Sequence, residues 1–169
     1  MLKKILFYLF LFSSLQAQEQ FSTPKPSSLI KNIFGSAPVD CIYLGMITYH
    51  MEKRWRDRND NWNNQALGVQ YKSMFVTTLV NSHYNRSYTF GITRDWIKFQ
   101  PSKNTKVTFG YRLGGIYGYG AELNKWAEIS PVLPIYQVCS QVQYKRLRLE
   151  FSYFRHLLSA YLTVVYGEF

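Results

Sequence analysis

The chain lacks long apolar runs. Beyond its first residues, no stretch approaches the roughly 18 consecutive apolar residues that a transmembrane helix takes. Cysteine is scarce, with Cys41 and Cys139 the only two. An exported chain permits a disulfide between them, and two unpaired strand cysteines are the alternative. There is no Cys/His ligand spacing, no phosphate loop and no Rossmann glycine pattern. The sequence therefore marks no metal site and implies no cofactor. Acid is also in short supply, since 10 Asp and Glu stand against 20 Lys and Arg, a formal net charge of +10. A basic balance of that size fits nucleic acid, anionic lipid or lipopolysaccharide as a partner.

The beginning of the chain separates these partners. Lys3 and Lys4 precede an apolar core at Ile5–Phe12, and Ser13–Ala17 closes it in the manner of a secretory signal, with cleavage after Ala17. The core is too short to span a bilayer as an uncleaved anchor, and no Cys follows to carry a lipid. Export removes nucleic acid from consideration and leaves envelope lipids. Gln18–Ser27 is polar, carries Pro24 and Pro26, and reads as a linker. Ser28–Phe34 places Leu29, Ile30, Ile33 and Phe34 on one helical face, with Ser28 as N-cap and Gly35 as stop. Such a segment is either a short interfacial helix or a loop. The division is then a signal peptide at 1–17, a linker with an amphipathic helix at 18–39, and one domain at 40–169.

From Asp40 onward the apolar period is two. Val107, Phe109, Tyr111 and Leu113 alternate with Lys106, Thr108, Gly110 and Arg112, and Leu147, Leu149, Phe151 and Tyr153 alternate with Arg148, Glu150 and Ser152. Aromatics make up 18% of the chain. Strands with one apolar and one polar face are the signature of a barrel with a lipid-facing wall. Eight are expected, at Asp40–Met51, Gln65–Lys72, Met74–Asn81, Ser87–Gln100, Thr105–Tyr117, Pro131–Tyr144, Arg146–Arg155 and Ser159–Phe169. Short and long connections alternate, as in outer-membrane barrels. Three strands break the alternation. Ile42, Leu44 and Met46 oppose Tyr43, Ile47 and Tyr49. Phe75 and Leu79 oppose Val76 and Val80. Leu162 and Val164 oppose Tyr161 and Val165. Apolar groups inside a barrel hold an acyl chain or simply fill a small lumen.

The polar constellation is His50, Asn81, Ser82, His83 and Arg86. In the expected topology His50 ends the first strand, and Asn81 and Ser82 end the third, all at the long-loop rim. Imidazole beside a hydroxyl supports base-assisted acyl chemistry. On spacing alone, such a cluster reads first as a set of rim groups bonded to one another and to water.

At these residues the sequence resembles the lipid A palmitoyltransferase (PagP) family of the Gram-negative outer membrane. Ile47-Thr48-Tyr49-His50 is similar to the family's strand ending in its essential His. Val80-Asn81-Ser82 stands where the family has an Asp-Ser pair, and Ile129–Ile135 is similar to its Pro-interrupted run before the sixth strand. The resemblance implies an eight-stranded transmembrane barrel with an N-terminal helix, and transfer of an acyl chain from a phospholipid to lipid A. It implies His50 as base, Ser82 as nucleophile or hydrogen-bond donor, and Asn81 as an orienting group in place of the family's acid. If a carboxylate is required, Glu52, Asp57 and Asp60 in the first long loop are the candidates. Lys53, Arg54, Arg56, Arg58 and Arg86 would bind lipid A phosphates through their cationic heads. The protein would be a monomer whose partners are outer-membrane lipids. A non-catalytic surface barrel binding lipopolysaccharide or another envelope component is the second reading, and a soluble lipocalin-like barrel a third.

Overall fold

The computed structural model describes residues 34–51, 61–119 and 130–166. The expected signal peptide, the linker and all of the expected helix except Phe34 lie outside the described residues. So do positions 52–60, with Glu52, Lys53, Arg54, Arg56, Asp57, Arg58 and Asp60, and the terminal Phe169.

Eight antiparallel strands close into a barrel in sequence order. They are β1 (Cys41–His50), β2 (Leu67–Tyr71), β3 (Met74–Val80), β4 (Arg86–Ser102), β5 (Thr105–Tyr117), β6 (Val132–Tyr144), β7 (Leu147–Phe154) and β8 (Leu157–Val165). Closure comes from β1 pairing with β8, with Cys41 opposite Val165 and His50 opposite Leu157. One rim carries the tight β2–β3, β4–β5 and β6–β7 turns and is called here the turn rim. The other carries the longer connections and the short Arg155-His156 turn, and is the loop rim. The expected all-β barrel forms, with shifted strand ends. β2 starts two residues later than expected because Asn61–Asn64 continues it only as an irregular segment. There Asn64 donates its N–H to Met46 O at 2.9 Å, and Thr48 donates to Trp62 O at 2.9 Å. β8 starts earlier than expected, because Arg155 takes a left-handed φ of 54° and turns the chain at once.

The wall is apolar on the outside. Ile42, Leu44, Ile47, Val69, Val76, Phe90, Ile92, Leu113, Val138, Val142, Leu149 and Phe151 are exposed along its middle. Tyr49, Tyr88, Tyr117, Tyr136 and Tyr153 are exposed near the loop rim, and Tyr71, Phe99, Tyr144 and Tyr166 near the turn rim. A β-bulge decides which side chains reach the interior. The β1–β8 register shifts between Tyr43 and Gly45. Cys41 and Tyr43 are buried before the shift, and Met46 and Thr48 after it. Strict alternation would have put Met46 outside with Ile42 and Leu44. The bulge inserts one residue and reverses the parity, so the mixed strand becomes an orderly one. The other two mixed strands sort without a bulge, since Phe75, Leu79, Tyr161 and Val165 are buried while Val76 and Leu162 face out.

Eight strands enclose a space that side chains just fill, and here the filling is centred on Arg112. Its guanidinium donates to Tyr43 Oη and to Glu150 Oε1, and its Nε donates to Thr93 Oγ1 at 3.4 Å. It also stands 4.6 Å from the Phe75 ring centroid and 5.2 Å from those of Tyr43 and Tyr161. The network extends from Tyr43 Oη to Gln70 Oε1, from Gln70 Nε2 to Val39 O, and from Gln141 Nε2 to Glu150 Oε2. Both cysteines are buried and unpaired, so the disulfide alternative is removed. Val39 packs against the apolar cluster, and Ser36 forms a bridge to Asp95. The segment ahead of β1 thus covers part of the turn rim.

Removing one partner of a buried ion pair leaves the other charge unmet at a cost of about 3–5 kcal/mol, while replacing both is far better tolerated. Arg112→Met and Glu150→Leu should each lower stability by that order. The double variant should lie closer to wild type than either single change. Equilibrium denaturant unfolding of the three variants measures this, and additive losses would contradict it.

Candidate functional site

The parity change on β1 has its main consequence at the loop rim. Counting inward positions from Met46 and Thr48 brings His50 to the lumen side, where it is half-buried. Counting from Cys41 and Tyr43 without the bulge would have brought Tyr49 inward instead.

Ser82 arrives from the other side. It follows β3 in a tight connection in which Asn81 N–H donates to Asn85 O at 2.8 Å and Tyr84 N–H donates to Asn81 O at 3.0 Å. Tyr84 takes a left-handed φ of 63° to close this turn. The irregular segment ahead of β2 lies between the two strands and ties the turn down. Asn61 N–H donates to Ser82 O at 2.8 Å. Its side-chain amide donates to Val80 O and Asn81 O at 3.3 Å each, and Asn64 Nδ2 donates to Val80 O at 2.8 Å. As a result His50 Nε2 and Ser82 Oγ sit 2.9 Å apart and share a hydrogen bond. Ser82 is only 6% exposed. An imidazole nitrogen at that distance is placed to take the hydroxyl proton when the oxygen attacks an electrophile.

Asn81 directly follows β3 at the loop rim, as its sequence position implies. It is fully buried. Its Oδ1 accepts from His83 N–H at 2.9 Å and from Asn85 N–H at 3.0 Å. Its Nδ2 donates to Ser87 Oγ at 3.0 Å and to Gly118 O at 3.2 Å. Two acceptor sites and two donor hydrogens are the whole capacity of an amide. Asn81 therefore clamps the turn and fastens it to the end of β5. It supports the pair indirectly, by fixing the backbone that carries Ser82. The resemblance implies an orienting group at this position; among the described residues, the partners of the Asn81 side chain are His83, Asn85, Ser87 and Gly118. Arg86 is exposed at the same rim, where it pairs with Val80 at the start of β4. The remaining expected phosphate-binding residues, Lys53, Arg54, Arg56 and Arg58, lie outside the described residues.

Below the pair the lumen is mixed. Met46, Ala66, Leu79 and Tyr161 belong to the apolar cluster. Thr48, Ser159 and Ser152 lie side by side across β1, β8 and β7. Their hydroxyls and Gln137 Oε1 are buried and find no hydrogen-bond partner among the described residues. Each such group costs roughly 1–3 kcal/mol, which makes this arc the least settled part of the interior. The wall above it is incomplete. β6 pairs with β7 only from Val138 onward, while its pairing with β5 continues up to Val132. A groove of about 480 Å³ opens beside that step, lined by Leu113, Gly114, Pro134, Ile135, Tyr136, Phe154 and Arg155. Pro134 has no N–H to offer a neighbouring strand, as suits an edge.

The sequence reading missed Asn61, Asn64, Ser87 and Gly118, which hold the rim together. The run Asn61-Trp62-Asn63-Asn64 was a signal, because amide side chains at strand ends satisfy stray backbone groups. No protein-family model matches the chain, and a search of curated proteins finds no match.

A carboxylate at position 81 could keep the bonds from His83 and Asn85 but could not donate to Gly118 O. Asn81→Asp should therefore destabilise the barrel, by about 1–3 kcal/mol, and speed amide exchange in the 82–85 turn. Unfolding midpoints and hydrogen exchange check this, and an Asp variant as stable as wild type would show that the clamp does not require an amide.

Proposed function

We propose that this chain is a divergent lipid A acyltransferase-like barrel of the bacterial outer membrane, moving a fatty acyl chain from a phospholipid to lipid A at the outer leaflet. The observation that carries the reading is the His50–Ser82 hydrogen bond of 2.9 Å at the loop rim of a closed eight-stranded barrel. In one form of this reading the Ser82 hydroxyl attacks the ester carbonyl. His50 takes its proton and passes it to the departing lysophospholipid oxygen, before a lipid A hydroxyl takes the acyl group from Ser82 by the reverse steps. In the other form a lipid A hydroxyl attacks directly, giving its proton to His50, while Ser82 donates a hydrogen bond to the oxyanion and lysophospholipid leaves. Asn81 holds the turn, and Arg86, with the basic run Lys53, Arg54, Arg56 and Arg58, meets the lipid A phosphates. The resemblance at Ile47–His50 and Val80–Ser82 supports the same chemistry. The wall step beside Pro134 would give an acyl chain a sideways path to the lumen from the bilayer.

Membrane insertion rests on the wall. Apolar side chains line its middle and tyrosines ring both ends, the pattern of a barrel seated between two interfaces. The leader reading, Met1–Ala17, and the interfacial helix ending at Phe34 agree with export and with this seat. The protein would act as a monomer, with long loops outside the cell and with lipids as its partners.

A second reading has its own observation. The described interior is filled by its own side chains around Arg112. A barrel that kept the fold and only binds lipopolysaccharide or another envelope component would look the same in this respect.

Two measurements test the proposal. Fractionation should recover the mature protein in the outer membrane, migrating differently on gels before and after boiling; recovery as a soluble periplasmic protein would sink the insertion. Mass spectrometry of lipid A should show an added acyl chain in cells expressing the wild type. His50→Ala and Ser82→Ala should each reduce that product by at least about a hundredfold, with the barrel still folded. Lipid A unchanged by the wild type would favour the binding barrel instead.

A further inference from the structure

The opposite rim carries a feature that the proposed chemistry does not use. A groove of about 650 Å³ lies where the β4–β5 turn meets the β6–β7 turn. Lys103, Lys106, Lys145 and Arg146 line it. No acidic side chain among the described residues does. Backbone bonds fix the turn that carries Lys145 and Arg146. Lys145 takes a left-handed φ of 52° and donates its N–H to Asn104 O at 2.8 Å, which joins the two turns. Gln143 Nε2 donates to Lys145 O at 2.8 Å, and Arg146 O accepts from Val165 N–H at 2.8 Å.

Three positive charges on the two turns and a fourth, Lys106, at the start of β5 attract an anion. The rest of the lining indicates what kind. Tyr144 and Leu147 form a cross-strand pair and also line the groove, 56% and 57% exposed on the outer wall. The next outward pair above them is Val142 and Leu149. A charged rim thus runs without a break into an apolar wall. A free inorganic anion would use only the rim, whereas an amphiphile uses both.

We propose that this groove is a binding site for an anionic phospholipid of the inner leaflet. Its phosphodiester lies among Lys103, Lys106, Lys145 and Arg146, and an acyl chain lies along Leu147 and Leu149. Tyr144 stands at the boundary, as amphipathic rings do at an interface. The site rests on the bilayer insertion proposed above and is independent of acyl transfer. It would anchor the turn rim and set the depth of the barrel, at the end remote from His50 and Ser82.

The test uses the full mature chain reconstituted in mixed phosphatidylcholine–phosphatidylglycerol vesicles, then examined by native mass spectrometry for retained lipid. The expected result is one phosphatidylglycerol retained in preference to phosphatidylcholine. Combined Lys103→Gln, Lys145→Gln and Arg146→Gln should reduce that retention by about tenfold or more, since each basic side chain at an anionic surface contributes separately. Lys72→Gln removes a charge from the neighbouring β2–β3 turn, outside the groove, and should leave retention unchanged. Heat-modifiable migration verifies that each variant is folded. Equal retention of both lipids, equal retention by the triple variant, or an equal loss in Lys72→Gln would overturn the site. Displacement of the lipid by inorganic phosphate alone would overturn the role of the apolar wall. A folded barrel that fails to float with either kind of vesicle would overturn the insertion, and the site with it. A barrel that inserts but shows no preference overturns the site alone.

Discussion

The guanidinium of Arg112 is the group on which the interior depends. An eight-stranded barrel has no room for water around a central charge, so that charge must be met by protein. Glu150 supplies the counter-charge from β7, Tyr43 and Thr93 supply acceptors, and three aromatic rings surround the planar cation. These partners come from β1, β3, β4, β7 and β8. One side chain from β5 therefore ties together strands that share no backbone bonds with it, apart from β4. The arrangement also explains how the lumen holds polar residues around Arg112 on strands whose outer faces are apolar: Tyr43, Gln70, Glu150 and Gln141 are partners in one network.

The two rims divide the remaining work. At the turn rim, short connections and the segment ahead of β1 close the end, and the charge is gathered in the turns. At the loop rim the connections are longer and the polar groups are amides, hydroxyls and imidazoles. Asparagine dominates the hinge of that rim, because an amide both accepts from and donates to stray backbone groups. Asn61, Asn64 and Asn81 together fix the turn that carries Ser82. This supports the proposed chemistry in a specific way. In that proposal a nucleophile needs a fixed distance to its base, and the turn holds Ser82 Oγ 2.9 Å from His50 Nε2.

Asn81, which stands where the family that the sequence resembles has an acid, has well-defined partners in that setting. Seen in sequence, an amide in place of a carboxylate is a lost charge beside His50. Seen in the fold, it is a four-way clamp whose donor hydrogens meet Ser87 and Gly118, tasks that a carboxylate cannot perform toward a carbonyl.

Periodicity alone determined the strand count, the antiparallel order, the alternation of short and long connections and the placement of His50 and Ser82 at one rim, because a strand's side-chain period is local and survives in the sequence. It also identified Lys106, Thr108, Gly110 and Arg112 as one face. The partners of Arg112 were not legible, since Glu150 and Tyr43 lie far away in the chain and meet it only when the sheet closes. The inward turn of Met46, Thr48 and His50 was not legible either. It follows from a single-residue bulge near Gly45, and a bulge arises from the register against β8, which no local pattern contains. The bond between His50 and Ser82 likewise needed Asn61 to cross from the first long loop to β3. The sequence by itself determined which residues form strands and which ends they reach. Tertiary structure decided which way they face and what they touch, because pairing register and closure are long-range.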